Sequence, residues 1–420
     1  MNARRKHASF SLRERHEGRS VQVTFCKTVT EVERLSERVA ELKAGEILAL
    51  DTEFLRTTSY YPVLCLIQVA LKGEVFLLDP LELDIKVFIR ALHDTEATVL
   101  TFAGGEDWEC LSYEMALCGF SDRLIPKHPG DVQLLAAFAG HSWSRGLAAV
   151  TEDLLGISLA KEETRSDWSV RPLTPSQIEY AALDVLYLEA LYARLKERVS
   201  PQLFAYYEEE VTLRALSVSE DEEPSEIYRK LQGAGKLNLQ EQTLLQYLCQ
   251  KREAYCQERD LSLSRFCPNR TLIVLCEKKP LSQSALLHCG VRPEALRKFG
   301  PKLISLIKEG LRLKPDEELP PPYDACSHQL GYSDMYAKLS EYLTAKAQAL
   351  HIMPELILSR KLINYSLTLW QEGFEAGLNA GWKREVTGDL SAFFAMVRKD
   401  CPVKVNPAGT GRRSRGAESV

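Results

Sequence analysis

The chain has 420 residues, enough for two to four domains of ordinary size. Its apolar share of 45% and charged share of 26% exclude a wholly disordered or fibrous protein. The net charge of −5 argues against a molecule that is basic throughout and binds nucleic acid by charge alone, and no run approaches the roughly eighteen apolar residues of a membrane span. Residues 1–20, MNARRKHASFSLRERHEGRS, are basic but lack the apolar core of a secretory signal. They read as a disordered extension, with an organelle transit segment as the alternative.

From 21 to 200 strand and helix signals alternate. VQVTF (21–25) reads as a strand and TEVERLSERVAEL (30–42) as an amphipathic helix. EILALDTEF, LCLIQVAL (64–71) and EVFLLDP (74–80) read as three successive strands. IKVFIRALHD is helical, TVLTFA (98–103) is a strand, and helices follow. Three adjacent strands followed by alternation imply an α/β domain: a mixed sheet with flanking helices.

After residue 200 the character changes. Segment 208–226, with EEE and SEDEEPSE, reads as an acidic linker or a solvated helix end. Residues 225–312 are helical and hold 16 Lys and Arg against 8 Asp and Glu, a net +8 that leaves −13 for the remainder. This hidden asymmetry marks a surface for an acidic polymer, or else a merely solvated helical bundle. Residues 313–330 are a Pro-rich linker, 331–398 are helical again, and the Gly/Arg/Ser-rich tail 399–420 reads as disordered. The eleven cysteines lack C-x-x-C pairs, as expected of reduced thiols in a cytoplasmic protein.

In LALDTEFLRT, Asp51 and Glu53 lie two apart on a strand, so both point to one face. Two anions there need a cation, a proton or solvent. Asp107 follows Gly104-Gly105 in the first turn of a helix, where an acid also stabilises the helix start. In TPSQIEYAALDVLYL, Thr174, Pro175 and Gln177 form a helix start, and Tyr180 and Asp184 fall one turn apart. Asp131 suits a helix N-cap as well as it suits metal chemistry. Convergent carboxylates without a His or Cys cluster form an oxygen-rich site for Mg²⁺ or Mn²⁺. Two such ions can activate a water and stabilise the leaving oxygen of a phosphodiester.

D-x-E on a strand, E-D-x-E after a Gly pair and Y-x-x-x-D on a helix, in that order, resemble the three motifs of the DEDD exonuclease superfamily, tyrosine subclass. DTEFLRTTSYYPVLCLIQVA, ETRSDW, RPLT and EYAALDVLYL are similar to the ribonuclease D family. YRKLQGAGKLN, REAYCQERDL and KFGPKLISLI resemble an HRDC domain, and ELILSRKLIN a divergent second copy. The resemblance implies a ribonuclease H-like (DnaQ-like) exonuclease fold over 21–200, then all-α HRDC-like domains over 225–312 and 331–398. It implies two divalent ions, Mg²⁺ or Mn²⁺. Asp51, Glu53 and Asp184 would hold the first, Asp51 and Asp107 the second, and Tyr180 would position the water. Two positions beside the motifs depart from the family: Phe102 replaces His before Ala103-Gly104, and Val132 replaces Thr between Asp131 and Gln133.

The implied activity is 3′→5′ release of nucleoside monophosphates from RNA with a free 3′ end, tRNA precursors included. A DNA exonuclease and a non-catalytic RNA-binding scaffold are the alternatives. Arg56, Arg165 and Arg171 are candidates for phosphate contacts, with Tyr60, Tyr61 and Trp168 for stacking. Lys251, Arg252, Lys278, Lys279, Arg297, Lys298 and Lys302 are the basic candidates of the helical module. No membrane partner is expected.

Overall fold

Residues 9–13, 20–120, 124–159, 163, 166–219 and 223–398 are described by a computed structural model of the chain. Their strands are β1 (Ser9–Arg13), β2 (Ser20–Phe25), β3 (Ile47–Leu55), β4 (Val63–Leu71), β5 (Glu74–Leu78), β6 (Thr98–Thr101) and β7 (His128–Asp131). They form one sheet in the order β1-β2-β5-β4-β3-β6-β7. The run β5-β4-β3 is antiparallel, and β2 on β5 and β6 and β7 beyond β3 are parallel. This is the expected mixed sheet.

Helices α1 (Val29–Ala40), α2 (Lys86–Asp94) and α3 (Gly105–Leu117) cover one face. Leu48, Leu50, Ile67 and Val69 pack there against Val32, Leu35, Phe88 and Leu111. The other face carries Ala49, Leu66, Val75 and Leu77. Over it lie α4 (Val132–Phe138), α5 (Leu147–Leu155), α6 (Pro175–Leu186), α7 (Leu188–Lys196) and α8 (Pro201–Ser219).

Three expectations change. Residues 9–13, expected within a disordered extension, form an edge strand antiparallel to β2, which offers them unpaired backbone groups. His128–Asp131 is a strand although Pro129 and Gly130 weaken its signal; the parallel edge of β6 supplies its partners. Of the two readings of the acidic segment 208–226, the helix end holds as far as Ser219 and the free linker does not, because α8 packs against α3, α4 and β7. Tyr207 on α8 is buried, and its hydroxyl accepts the Asp131 N–H at 2.9 Å. The sheet domain therefore extends past residue 200.

The first helical module comprises α9 (Leu239–Glu258), α10 (Leu263–Phe266), α11 (Asn269–Lys278), α12 (Gln283–His288) and α13 (Pro293–Gly310). It has its own core of Leu244, Leu248, Phe266, Leu275 and Ile307. Its link to the sheet domain is the loop after β3. Asp260 Oδ1 accepts the N–H groups of Tyr60 (2.9 Å) and Tyr61 (3.0 Å), and Ser262 N–H donates to Thr58 O at 3.0 Å.

Pro-rich 313–330 is strapped to this module rather than free. Asp324 accepts from Gly233 N (2.6 Å) and Gly235 N (2.7 Å). A Cβ at Gly235 would meet Ala325 backbone at 2.4 Å, so only glycine allows this approach. The second module comprises α14 (Tyr332–Leu350), α15 (Arg360–Gln371), α16 (Gly381–Thr387) and α17 (Ser391–Phe394). It shares one core with the sheet domain: Trp382 packs on Phe138 with ring centroids 5.1 Å apart, and Met353 N–H donates to Ala137 O at 2.9 Å. The tail from 399 lies outside the described residues.

Candidate active site

On β3 the pleat sends Leu48 and Leu50 to one face and Ala49, Asp51 and Glu53 to the other. Asp51 stands opposite Gln68 of β4, and Glu53 opposite Leu66. Helix α6 crosses this face. Its start is set by Pro175 and by the capping box in which Thr174 and Gln177 exchange hydrogen bonds. Tyr180 and Asp184 therefore fall on one side of it. One carboxylate oxygen each from Asp51, Glu53 and Asp184 lies within 4.8 Å of the others.

Asp107 stands outside that group of three. Its Oδ1 accepts from Thr52 N at 3.0 Å and from the Thr52 hydroxyl, which ties the first turn of α3 to the backbone between the two β3 acids. The tight turn into α3 needs Gly104, where a Cβ would lie 2.2 Å from Thr101 Oγ1. Thr52 was invisible to motif reasoning. Its only signal is a hydroxyl on the face of β3 opposite the acids.

Burial lifts all four carboxyls. Burial first, then the negative charges of Asp107, Asp184 and Glu53, pushes Asp51 well above the usual range. Glu53 rises to about 8 through burial and then through Asp184 and Asp107. Asp184 rises to about 7 by burial, although a hydrogen bond with Tyr180 works the other way. Asp107 rises to about 6 by burial, opposed by its bonds to Thr52. Among the described residues, attraction to a Lys or Arg is not one of the leading causes acting on these four. A hard divalent cation fits such an all-oxygen set. Asp131 resolves as an N-cap: its Oδ1 accepts Leu134 N and Ala103 N, both at 3.1 Å, and braces Ala103 at a φ of 61°.

The substrate candidates divide. Arg56 reaches the rim but is held by Glu109 on α3, with contacts of 2.6 Å. Tyr60 packs into the first helical module, while the Tyr61 ring stacks on Tyr113 at 4.3 Å. Arg165 lies outside the described residues. Trp168 is buried, with 2% exposure, which corrects its assignment to base stacking.

Arg171 is likewise corrected. Its guanidinium is spent on buried Asp79 and on the carbonyls of Cys65 (2.6 Å) and Trp168 (2.7 Å), so it locks the fold. Arg252 is 1% exposed and bonds Cys267 O (3.0 Å), Asn269 Oδ1 (2.7 Å) and Glu253 (3.2 Å), which removes it from any RNA surface. Lys251, Lys278, Arg297, Lys298 and Lys302 are exposed. Lys298 pairs with Glu294, and half-buried Lys279 pairs with Glu241. Lys251 and Lys302 lie over the rings of Tyr247 and Tyr255.

A family profile described as 3′-5′ exonuclease matches residues 26–200, and an HRDC domain profile matches 241–307. The chain is 32% identical to ribonuclease D of Serratia proteamaculans over 82% of its own length and 91% of the relative's. It is 31% identical to ribonuclease D of Escherichia coli, over 86% and 96%. The chain belongs to the ribonuclease D family. The crystal structure of Escherichia coli RNase D, described as an exoribonuclease involved in structured RNA processing, superposes with a TM-score of 0.73 at 30% identity, covering 89% of this chain and 98% of that one.

As a ribonuclease D family member the chain is a 3′→5′ exoribonuclease, and its exonuclease fold uses divalent metal. The expected fold class and the first HRDC domain are thereby confirmed. Among the described residues no helix is long and apolar enough to cross a membrane.

Proposed function

We propose that this ribonuclease D family member removes nucleotides from the 3′ ends of structured RNA precursors, tRNA precursors among them, at a site for two Mg²⁺ or Mn²⁺ ions. The observation that carries the reading is the convergence of Asp51, Glu53 and Asp184 within 4.8 Å, on a face where, among the described residues, no cationic side chain is a leading offset to their burial. Asp51, Glu53 and Asp184 would hold one ion, and Asp51 with Asp107 the other. When bound, the ions supply an activated water and charge neutralisation at the leaving oxygen.

The chain's own groups do the rest. Asp51 and Glu53 are presented by a strand locked in the middle of the sheet, so their spacing does not drift. Thr52 keeps Asp107 oriented through two hydrogen bonds. Tyr180 is anchored to Asp184 and offers its hydroxyl to orient the attacking water. Phenol is too weak an acid at neutral pH to act as the base, so its role is orientation. Arg56 exchanges Glu109 for a substrate phosphate.

The exposed lysines of the first helical module add affinity for RNA beyond the scissile nucleotide. A 3′-labelled single-stranded RNA should yield labelled nucleoside 5′-monophosphate with Mg²⁺ and none with chelator. Matched DNA cleaved at the same rate, or product released in chelator, overturns the reading.

A further inference from the structure

Beside the three acids lies a side chain whose polarity the fold leaves unmet. Gln68 of β4 is fully buried, and neither its amide oxygen nor its nitrogen has a hydrogen-bond partner among the described residues. Burying an unpaired amide is unfavourable, and a methionine would fill the same space without that penalty. Gln68 is in register with Asp51, so the two side chains leave their strands on one face, with Cβ atoms about 5 Å apart. Its other strand neighbours on that face, Leu66, Ala70 and Leu77, are apolar.

A second orphan belongs to the same core. Trp168 Nε1 is buried with no acceptor among the described residues, and its ring lies 6.1 Å from that of Tyr180. The segment carrying it is tied to β4, because Arg171 donates to both Trp168 O and Cys65 O. The two orphans are complementary. An indole can only donate, whereas an amide accepts through its oxygen and donates through its nitrogen.

We propose that Gln68 is a positioning residue for Asp51: in the ion-loaded protein its Nε2 donates to the Asp51 carboxylate while its Oε1 accepts from Trp168 Nε1, directly or through a buried water. The Asp51 carboxylate thereby gains a donor that would fix its orientation for ion binding. This inference rests on the carboxylate site described above.

Manganese binding to the full chain, measured by calorimetry alongside thermal unfolding of the ion-free protein, tests it. Gln68→Met should leave the ion-free Tm unchanged or raised, and weaken Mn²⁺ binding about tenfold or more. Trp168→Phe, which removes the indole N–H, should weaken it in the same direction by less. Ile67→Val, on the opposite face of β4, should lower Tm and leave Mn²⁺ affinity unaltered. Wild-type Mn²⁺ affinity in Gln68→Met overturns the role of Gln68 alone. So does an equal loss of affinity in Ile67→Val, which would make the effect one of packing. A wild-type protein with no saturable Mn²⁺ binding overturns both this inference and the site reading beneath it.

Discussion

Glu210 of α8 and the acids on β3 and α6 belong to one domain but are held in opposite electrostatic settings. Glu210 is 5% exposed, and every direction is answered: Arg214 Nε at 2.9 Å, Trp382 Nε1 at 2.9 Å and the Lys383 ammonium. Burial by itself would raise its pKa, yet the charges of Lys383 and Arg214 win, and the carboxyl sits below its ordinary range. At Asp51 and Glu53 burial is reinforced by like charges, at Asp184 burial outweighs the hydrogen bond with Tyr180, and all three carboxyls sit above it. The contrast separates an acid that helps hold the fold together from acids whose attraction is left for an incoming cation.

The largest test of that contrast is Asp51→Asn. Loss of one anionic ligand should remove several kcal/mol of transition-state stabilisation, about 10³-fold in turnover. The ion-free protein should unfold no earlier than wild type, since repulsion is relieved. Single-turnover kinetics with calorimetric Tm measures both, and near-normal turnover would remove Asp51 from the site. Glu210→Ala should do the reverse. It strands Lys383 in a buried setting, which costs roughly 3–5 kcal/mol of stability, while a chain folded at low temperature keeps its Mn²⁺ affinity. Denaturant unfolding decides this, and a loss below 1 kcal/mol would mean the pairing contributes little.

Tyr180→Phe sharpens the division within the catalytic side. Deleting one hydroxyl should lower turnover about tenfold, the scale of one oriented hydrogen bond, with Mn²⁺ affinity nearly unchanged. An equal loss of metal binding would make the tyrosine a brace for Asp184 instead.

The two settings also predict opposite pH slopes. Glu53 titrates near 8 in the folded chain, against 4.5 ordinarily, so between those values the unfolded state has lost a proton that the folded state keeps. Its contribution to ion-free stability therefore falls as pH rises through that window. Glu210, lowered on folding, contributes stability above about pH 4.5 that is lost as pH falls. Tm from pH 5 to 8 should decline more steeply without Mg²⁺ than with it. Equal slopes would show that the cluster is already neutralised.

The smallest effect concerns the first helical module. Replacing both Lys251 and Lys302 by alanine should flatten the dependence of RNA affinity on log salt by about 1.4, two single-strand phosphate contacts, with turnover on a short oligonucleotide unchanged. An unaltered slope would mean that RNA does not track this face.

How far the chain could be read in advance differs from residue to residue. The shared face of Asp51 and Glu53 follows from the strand period, and the Tyr180–Asp184 pairing from the helix period and a capping box. These are local rules, and the described structure obeys them. The fate of the basic residues is not local. Arg171 and Arg252 looked like their exposed neighbours, because a count of charges carries no information on burial. Only the packed chain shows Arg171 bound to Asp79, 92 residues away, and Arg252 bound to the Cys267 carbonyl and the Asn269 amide oxygen at the junction of α10 and α11. The packing of α8 beyond residue 200 is not local either. The acidic signal after 200 is real, but α8 also bears Tyr207 and Glu210, whose partners come from β7 and α16.

What the sequence determined alone was therefore whatever depends on period and order: the mixed sheet, the helix starts, the three motifs and the family they resemble. The tertiary structure decided which charges meet and which are answered. The convergence of Asp51 and Glu53 with Asp184, the tie of Asp107 to Thr52, and the stranding of Gln68 beside Asp51 each join residues from different elements. Coulomb and hydrogen-bond energies depend on separation in space and on exclusion of water, and neither is set by separation along the chain.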